Sequence, residues 1–148
     1  MQFDKSEFFI ETIVPEDELI ISRTNLSGII TYANETFAQI SGYDIDELVG
    51  RPHSMVRHPD MPSSVFKDLW DKLSSGARWS GYVKNLRKDT GYYWVHATIS
   101  GVYKDGKLVE YKSIRVPISN EDKLKYQKKY DEMRNIDKER IRTVVYTN

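Results

Sequence analysis

The 148-residue chain reads as an α+β domain, a five-stranded antiparallel sheet with short helices on one face. Three observations carry that expectation. Two short strand-like runs stand before residue 34, and three longer ones lie between residues 79 and 117. The stretch between them switches from a period of two to helical spacing. Turn signals separate neighbouring strand runs at each of the expected hairpins.

Taken in order, residues 1–18 form an N-terminal cap segment with an apolar side of Phe8, Phe9, Ile13 and Val14, broken by Pro15. LIISRT at 19–24 and IITYA at 29–33 are strands joined by the turn NLSG. Asn34 is placed to cap a short helix carrying Phe37 and Ile40. Asp44, with Glu47 three residues on, opens another that stops at Gly50. RPHSMVRHPDMP has prolines at 52, 59 and 62, which excludes a long helix there. Pro62 suits the first turn of the next helix. In that helix Phe66, Leu69, Trp70 and Leu73 fall at i, i+3, i+4 and i+7. All four are expected to face the core, and SSG at 74–76 ends the helix. WSGYVKNL, YYWVHATISGVY and KLVEYKSIRVP follow as strands, with turns at RKDTG and at Asp105-Gly106. SNED at 119–122 starts an exit helix whose thin apolar stripe is Leu124, Tyr130 and Met133. A stripe that narrow makes the helix a candidate for a two-position element. The expected division is 1–18 cap segment, 19–118 core domain and 119–148 C-terminal helix and linker.

Composition narrows the chemistry. Basic and acidic residues balance at 22 each, with no cationic run, so there is no case for nucleic acid or anionic membrane as partner. The absence of cysteine removes disulfides, iron–sulfur clusters, thiolate zinc and a thiol nucleophile. It suits a reducing cytoplasm. No apolar run approaches the roughly 20 residues that span a bilayer. The N-terminus carries acids where a signal peptide carries a basic segment. His53, His58 and His96 have no metal-ligand spacing, and on a strand His96 alternates opposite to Val95 and Ala97. No GxGxxG, P-loop or GxSxG is present, so the chain is not expected to be an enzyme.

A few residues can carry a ligand. On a strand from Trp79, period two puts Trp79, Gly81, Val83 and Asn85 on one face. An inward amide at Asn85 must find a hydrogen-bond partner or cost about 1–3 kcal/mol. A neighbouring side chain and a ligand edge are both open as partners. Trp79 is either a flat wall for a ring or ordinary core. In Arg57-His58-Pro59-Asp60, Arg57 can hold a phosphate bidentately, His58 can donate, and Asp60 can orient either. A surface pair between Arg57 and Asp60 is the plainer alternative. Asn34 as helix cap and Phe66 as core need no ligand at all.

The ordered set VRHPDMP, a helix ending in LW, GARWSGYVKNLRK and YYWV resembles the PAS domain of bacterial aerotaxis and energy-taxis receptors over about residues 19–118. That resemblance implies a PAS fold holding FAD non-covalently and reporting redox state or oxygen. Arg57, His58 and Asp60 match positions that the family needs for FAD, and Asn85 matches an asparagine used by flavin-binding PAS domains. Asn34 and Phe66 match two further positions of the family's cleft, and Trp79 is a wall of it. The implied partner is a chemoreceptor (methyl-accepting) signalling domain, in cis or in trans, and through it the CheA kinase; a homodimer is a further option. A cofactor-free dimerisation or docking module and a haem gas sensor are the alternatives, although residues 62–76 carry no histidine for haem. Light sensing through a cysteine–flavin adduct is not expected. The cysteine position falls at His53, and the glutamine position on the last strand falls at Val116.

Overall fold

A computed structural model describes residues 10–136. Five strands form one antiparallel sheet in the order β2-β1-β5-β4-β3, and the short helices sit between β2 and β3 in the chain. The elements are β1 (Ile20–Thr24), β2 (Ile30–Ala33), α1 (Glu35–Ser41), α2 (Ile45–Leu48), α3 (Ser63–Ser74), β3 (Trp79–Leu86), β4 (Tyr92–Lys104), β5 (Lys107–Val116) and α4 (Asn120–Ile136), with a 3-10 turn at His53–Val56. Of the expected cap segment, Phe8 and Phe9 lie outside the described residues, as does the C-terminal stretch from 137.

Local chemistry explains the boundaries. Asn34 caps α1 by accepting from Phe37 N at 3.0 Å. The same Oδ1 takes Ile21 N at 3.1 Å and Nδ2 donates to Leu19 O at 2.9 Å, so one amide pins α1 to β1. Glu47 returns its carboxylate to Asp44 N at 3.1 Å and starts α2. Asp105 (φ 52) and Gly106 (φ 79) are both left-handed, as a two-residue hairpin between β4 and β5 requires. Ser119 accepts from Asp122 N at 3.1 Å and opens α4.

The short helices cover one sheet face. Phe37, Ile40, Leu48, Val56, Leu69 and Leu73 pack there on Ile20, Ile30, Val95 and Ala97. Trp70 departs from the expected core position and is 45% exposed. The buried line of α3 is Val65, Leu69 and Leu73, at i, i+4 and i+8. Phe66 and Trp70 each stand one residue round from it, and Trp70 meets Tyr111 edge-on at 5.7 Å instead.

The other sheet face receives α4. Tyr126 stacks on Tyr82 of β3 at 4.0 Å, and Tyr130 stacks on Trp94 of β4 at 6.3 Å. Tyr130 Oη donates to Tyr82 O at 2.5 Å. Burial, joined by the neighbouring phenols, raises its pKa. Each aromatic pair adds about 0.5–1.5 kcal/mol beyond the area it buries. The expected stripe therefore needs correction at Leu124, which is 75% exposed. It stands two residues, and so about 200°, from Tyr126 on a helix with 3.6 residues per turn. The docking face is Tyr126, Tyr130 and Met133, with Gln127 and Arg134 beside it. No helix among the described residues is long and apolar enough to cross a membrane.

Candidate functional site

Between the sheet and α3 lies a cleft of about 310 Å³. Val56, Leu69, Leu73, Val83 and Ile99 make its apolar walls. Four residues picked out by the sequence line it: Arg57, Phe66, Trp79 and Asn85. Three others stand outside its wall. Asn34 is occupied as the α1 cap, and His58 and Asp60 lie behind Arg57.

Trp79 is held rigidly, because its Nε1 donates to Asp68 Oδ2 at 3.0 Å. Its ring folds over Gly81, where an added Cβ would stand 2.6 Å from Cζ2 of the indole. Only glycine admits that rotamer of Trp79 without a shift. Asn85 faces the cleft with Trp79 and Val83 and is 3% exposed, and its Nδ2 makes no hydrogen bond. Opposite it on β4, Tyr93 is fully buried; burial raises its phenol pKa, while the charge of Arg115 and the neighbouring Asn85 amide act to lower it. Arg57 lies at the half-buried rim, its guanidinium 3.8 Å from the centroid of Phe66.

The segment around His58 runs along the free edge of β3. Arg57 bridges Asn85 backbone to backbone, and Lys84 N donates to Met61 Sδ at 3.4 Å. His58 Nδ1 accepts from Asp60 N at 3.0 Å, and its ring meets Tyr92 edge-on at 6.2 Å. Asp60 turns away from the cleft, and its Oδ2 accepts from Lys84 Nζ at 2.6 Å. Burial works to raise the Asp60 pKa, but the Lys84 hydrogen bond and the charges of Lys84, His58 and Arg134 hold it below the ordinary carboxylate value.

The most consequential cleft residue was missed in the sequence. Arg115 is 2% exposed, lines the cleft, and has no carboxylate partner among the described residues. Its guanidinium lies 4.3 Å from the centroid of Phe37 and donates from Nη2 to Ser22 Oγ at 2.9 Å, while Nε and Nη1 make no hydrogen bond. Burial lowers its pKa. Ser113 beside it also points in, with an unbonded Oγ. The inward face of β5 is thus Tyr111, Ser113 and Arg115, so the position expected at Val116 is taken one residue earlier, by Arg115. The available signal was strand alternation read from the partner strand, since Arg115 stands opposite Ala97 and Ile20. His53 also lines the cleft, with Nε2 3.2 Å from Ser22 Oγ. Burial, then the charge of Arg115, pulls its pKa down to about 3, so the imidazole is neutral.

A cleft with apolar walls and buried, unbonded donors can hold a ligand that accepts hydrogen bonds. The comparisons bear on the fold that forms it. The PAS fold family matches residues 30–115, from the start of β2 to the penultimate residue of β5. The aerotaxis receptor of Escherichia coli is 47% identical over 111 residues, 75% of this chain and 22% of the receptor. The biofilm dispersion protein BdlA of Pseudomonas aeruginosa is 34% identical over 92 residues, 58% of this chain and 22% of its own length. The matched part of this chain thus spans about a fifth of these relatives. Among solved structures, the light-state LOV domain of the blue-light photoreceptor Aureochrome1 superposes with a TM-score of 0.65 at 22% identity, covering 78% of this chain and 91% of that one. With the match running unbroken through the sheet and helices that build the cleft, the chain belongs to the PAS fold family.

Proposed function

We propose that this PAS domain is a redox or oxygen sensor that holds FAD non-covalently in the cleft, and is not itself an enzyme. The observation that carries the reading is the pair of buried residues Asn85 and Arg115, each with an unbonded donor, lining a slot whose walls are largely apolar. An isoalloxazine ring fits that set, being flat, apolar over its faces and rich in acceptors along its pyrimidine edge. Unfilled, each buried donor costs about 1–3 kcal/mol, so a ligand that accepts from them is favoured twice. Asn85 would bind the edge, Trp79 and Phe66 the faces, and Arg57 a phosphate at the rim. His58 and Asp60 would act one layer back, by setting the path of the segment that carries Arg57. The cleft is at the small end of ligand pockets, roughly 300–1,000 Å³, so the ring would lie inside and the rest of the dinucleotide at the mouth.

Bound flavin supplies reversible electron uptake. Arg115 keeps a fixed positive charge beside the ring and favours added negative charge there. Neutral His53 and Ser22 extend that polar line to the wall. The likeness to the aerotaxis receptor supports output to a chemoreceptor signalling domain, in cis or in trans, and from there to the CheA kinase, from a cytoplasmic position. Absorption of freshly purified protein tests the reading. Flavin bands and acid release of intact FAD are expected. FMN as the sole released flavin overturns the dinucleotide, a Soret band indicates haem, and colourless protein that takes up no added FAD returns the domain to a cofactor-free docking module.

A further inference from the structure

Asp60 stands only three residues from Arg57, yet the two work on opposite sides of β3. Arg57 faces the cleft. Asp60, carried round the free edge of the strand, meets Lys84 on the outer face at 2.6 Å. Residues of α4 close on the same point. Lys84 Nζ donates to Gln127 Oε1 at 3.1 Å, Gln127 Nε2 lies 3.4 Å from Asp60 Oδ2, and Arg134 donates from Nη1 to the Asp60 carbonyl. The start of α4 is held separately, by Lys123 against Glu11 at 2.8 Å.

We propose that Lys84, with Gln127 and Arg134, is a positioning set that makes the docking of α4 and the shape of the cleft wall at 57–61 one equilibrium. The charges involved are largely out of water: the side chains of Lys84 and Asp60 are 10% and 16% exposed. Undocking α4 removes the Gln127 and Arg134 contacts and leaves the segment to the Lys84–Asp60 pair and its backbone ties to β3 at Arg57 and Met61. Moving the segment in turn takes the acceptor away from Lys84 and Gln127. Because α4 has a sparse apolar face, its docking rests heavily on such contacts, and a small change in one place shifts the other. Coupling of this kind is reciprocal: whatever the cleft ligand gains from docked α4, docked α4 gains from the ligand.

The test is hydrogen exchange and FAD affinity on wild-type protein, Lys84→Met, Lys84→Arg, and the helix-side pair Gln127→Ala with Arg134→Gln. Neither residue of the pair lines the cleft; both act on it through Lys84 and Asp60. In flavin-free protein, Lys84→Met and the pair are expected to speed exchange in both 57–61 and 120–136, with Lys84→Arg close to wild type. Faster exchange confined to one of the two regions overturns the coupling, and this arm needs no ligand. The affinity arm rests on the cleft holding a flavin: the helix-side pair is expected to weaken FAD about 10-fold, and saturating FAD to slow exchange along α4. An undocked helix with unchanged affinity overturns the proposal, whereas wild-type protein that binds no FAD overturns the cofactor reading and leaves the exchange arm to decide the coupling. If Lys84→Met does not fold, the helix-side pair decides both arms.

Discussion

Arg115 Nη2 donates to Ser22 Oγ across 2.9 Å and joins the fifth strand to the first inside the cleft. Ser22 is itself fully buried, and its hydroxyl stands 3.2 Å from His53 Nε2. A guanidinium, a hydroxyl and a neutral imidazole therefore adjoin one another in the slot, with no carboxylate paired to the guanidinium among the described residues. Such an arrangement is costly without a ligand, because a buried cation keeps its desolvation penalty unless something accepts from it.

Arg115→Met is expected to stabilise the flavin-free domain, by on the order of 1–4 kcal/mol, and to weaken flavin binding. Urea unfolding of the variant and wild type, each with and without FAD, checks both signs. A variant that is less stable when empty and binds FAD as wild type does would assign Arg115 to the fold alone.

Asn85→Ala removes the amide at the inner wall. FAD affinity is expected to fall by about 1–3 kcal/mol, and the visible band of the bound ring to shift as its edge loses a donor. Fluorescence titration and the absorption spectrum measure these. Unchanged affinity together with an unchanged spectrum would place Asn85 among purely structural residues.

His53 gives a pH dependence with a definite sign. Its pKa falls from 6.5 to about 3 in the folded domain, so the unfolded chain binds the extra proton anywhere between those values. Stability is expected to fall as pH drops from 6.5 toward 3, by up to about 1.4 kcal/mol per pH unit. Asp60 adds in the same direction lower down: its contribution is present above the ordinary value of 3.8 and is lost as pH falls through its depressed one. Unfolding free energies at pH 7, 6 and 5 should decline less steeply in His53→Gln, by close to one proton. Equal slopes in the two proteins would show that His53 is not held neutral.

Several features of the fold were legible in the sequence because they are settled within a few residues. Asn34 caps α1, and Asp105-Gly106 turns the hairpin, through contacts and φ angles that need no distant partner. The inward face of Trp79, Val83 and Asn85 follows from strand alternation alone. Period and capping rules also marked the order of strands and helices that the sheet then realises.

What the tertiary structure decided lies where two elements meet. Trp70 shares its helix with Leu69 and Leu73, yet it stands at the cleft mouth, edge-on to Tyr111, because Val65, Leu69 and Leu73 take the buried side of α3. Leu124 is as apolar as Tyr126 is aromatic, but the outer sheet face offers Tyr82 and Trp94 to stack on, and that choice sets the rotation of α4. A one-residue difference in register made Arg115, rather than Val116, the inward residue of β5. Asp60 carries its charge to the far side of the sheet because the segment bearing it wraps a free strand edge. By itself the sequence determined which short stretches are strand, turn or helix, because backbone preferences and caps act over one turn of chain. The destinations of Arg115 and Asp60 were decided only in three dimensions, because a long charged side chain settles by desolvation and by partners tens of residues away.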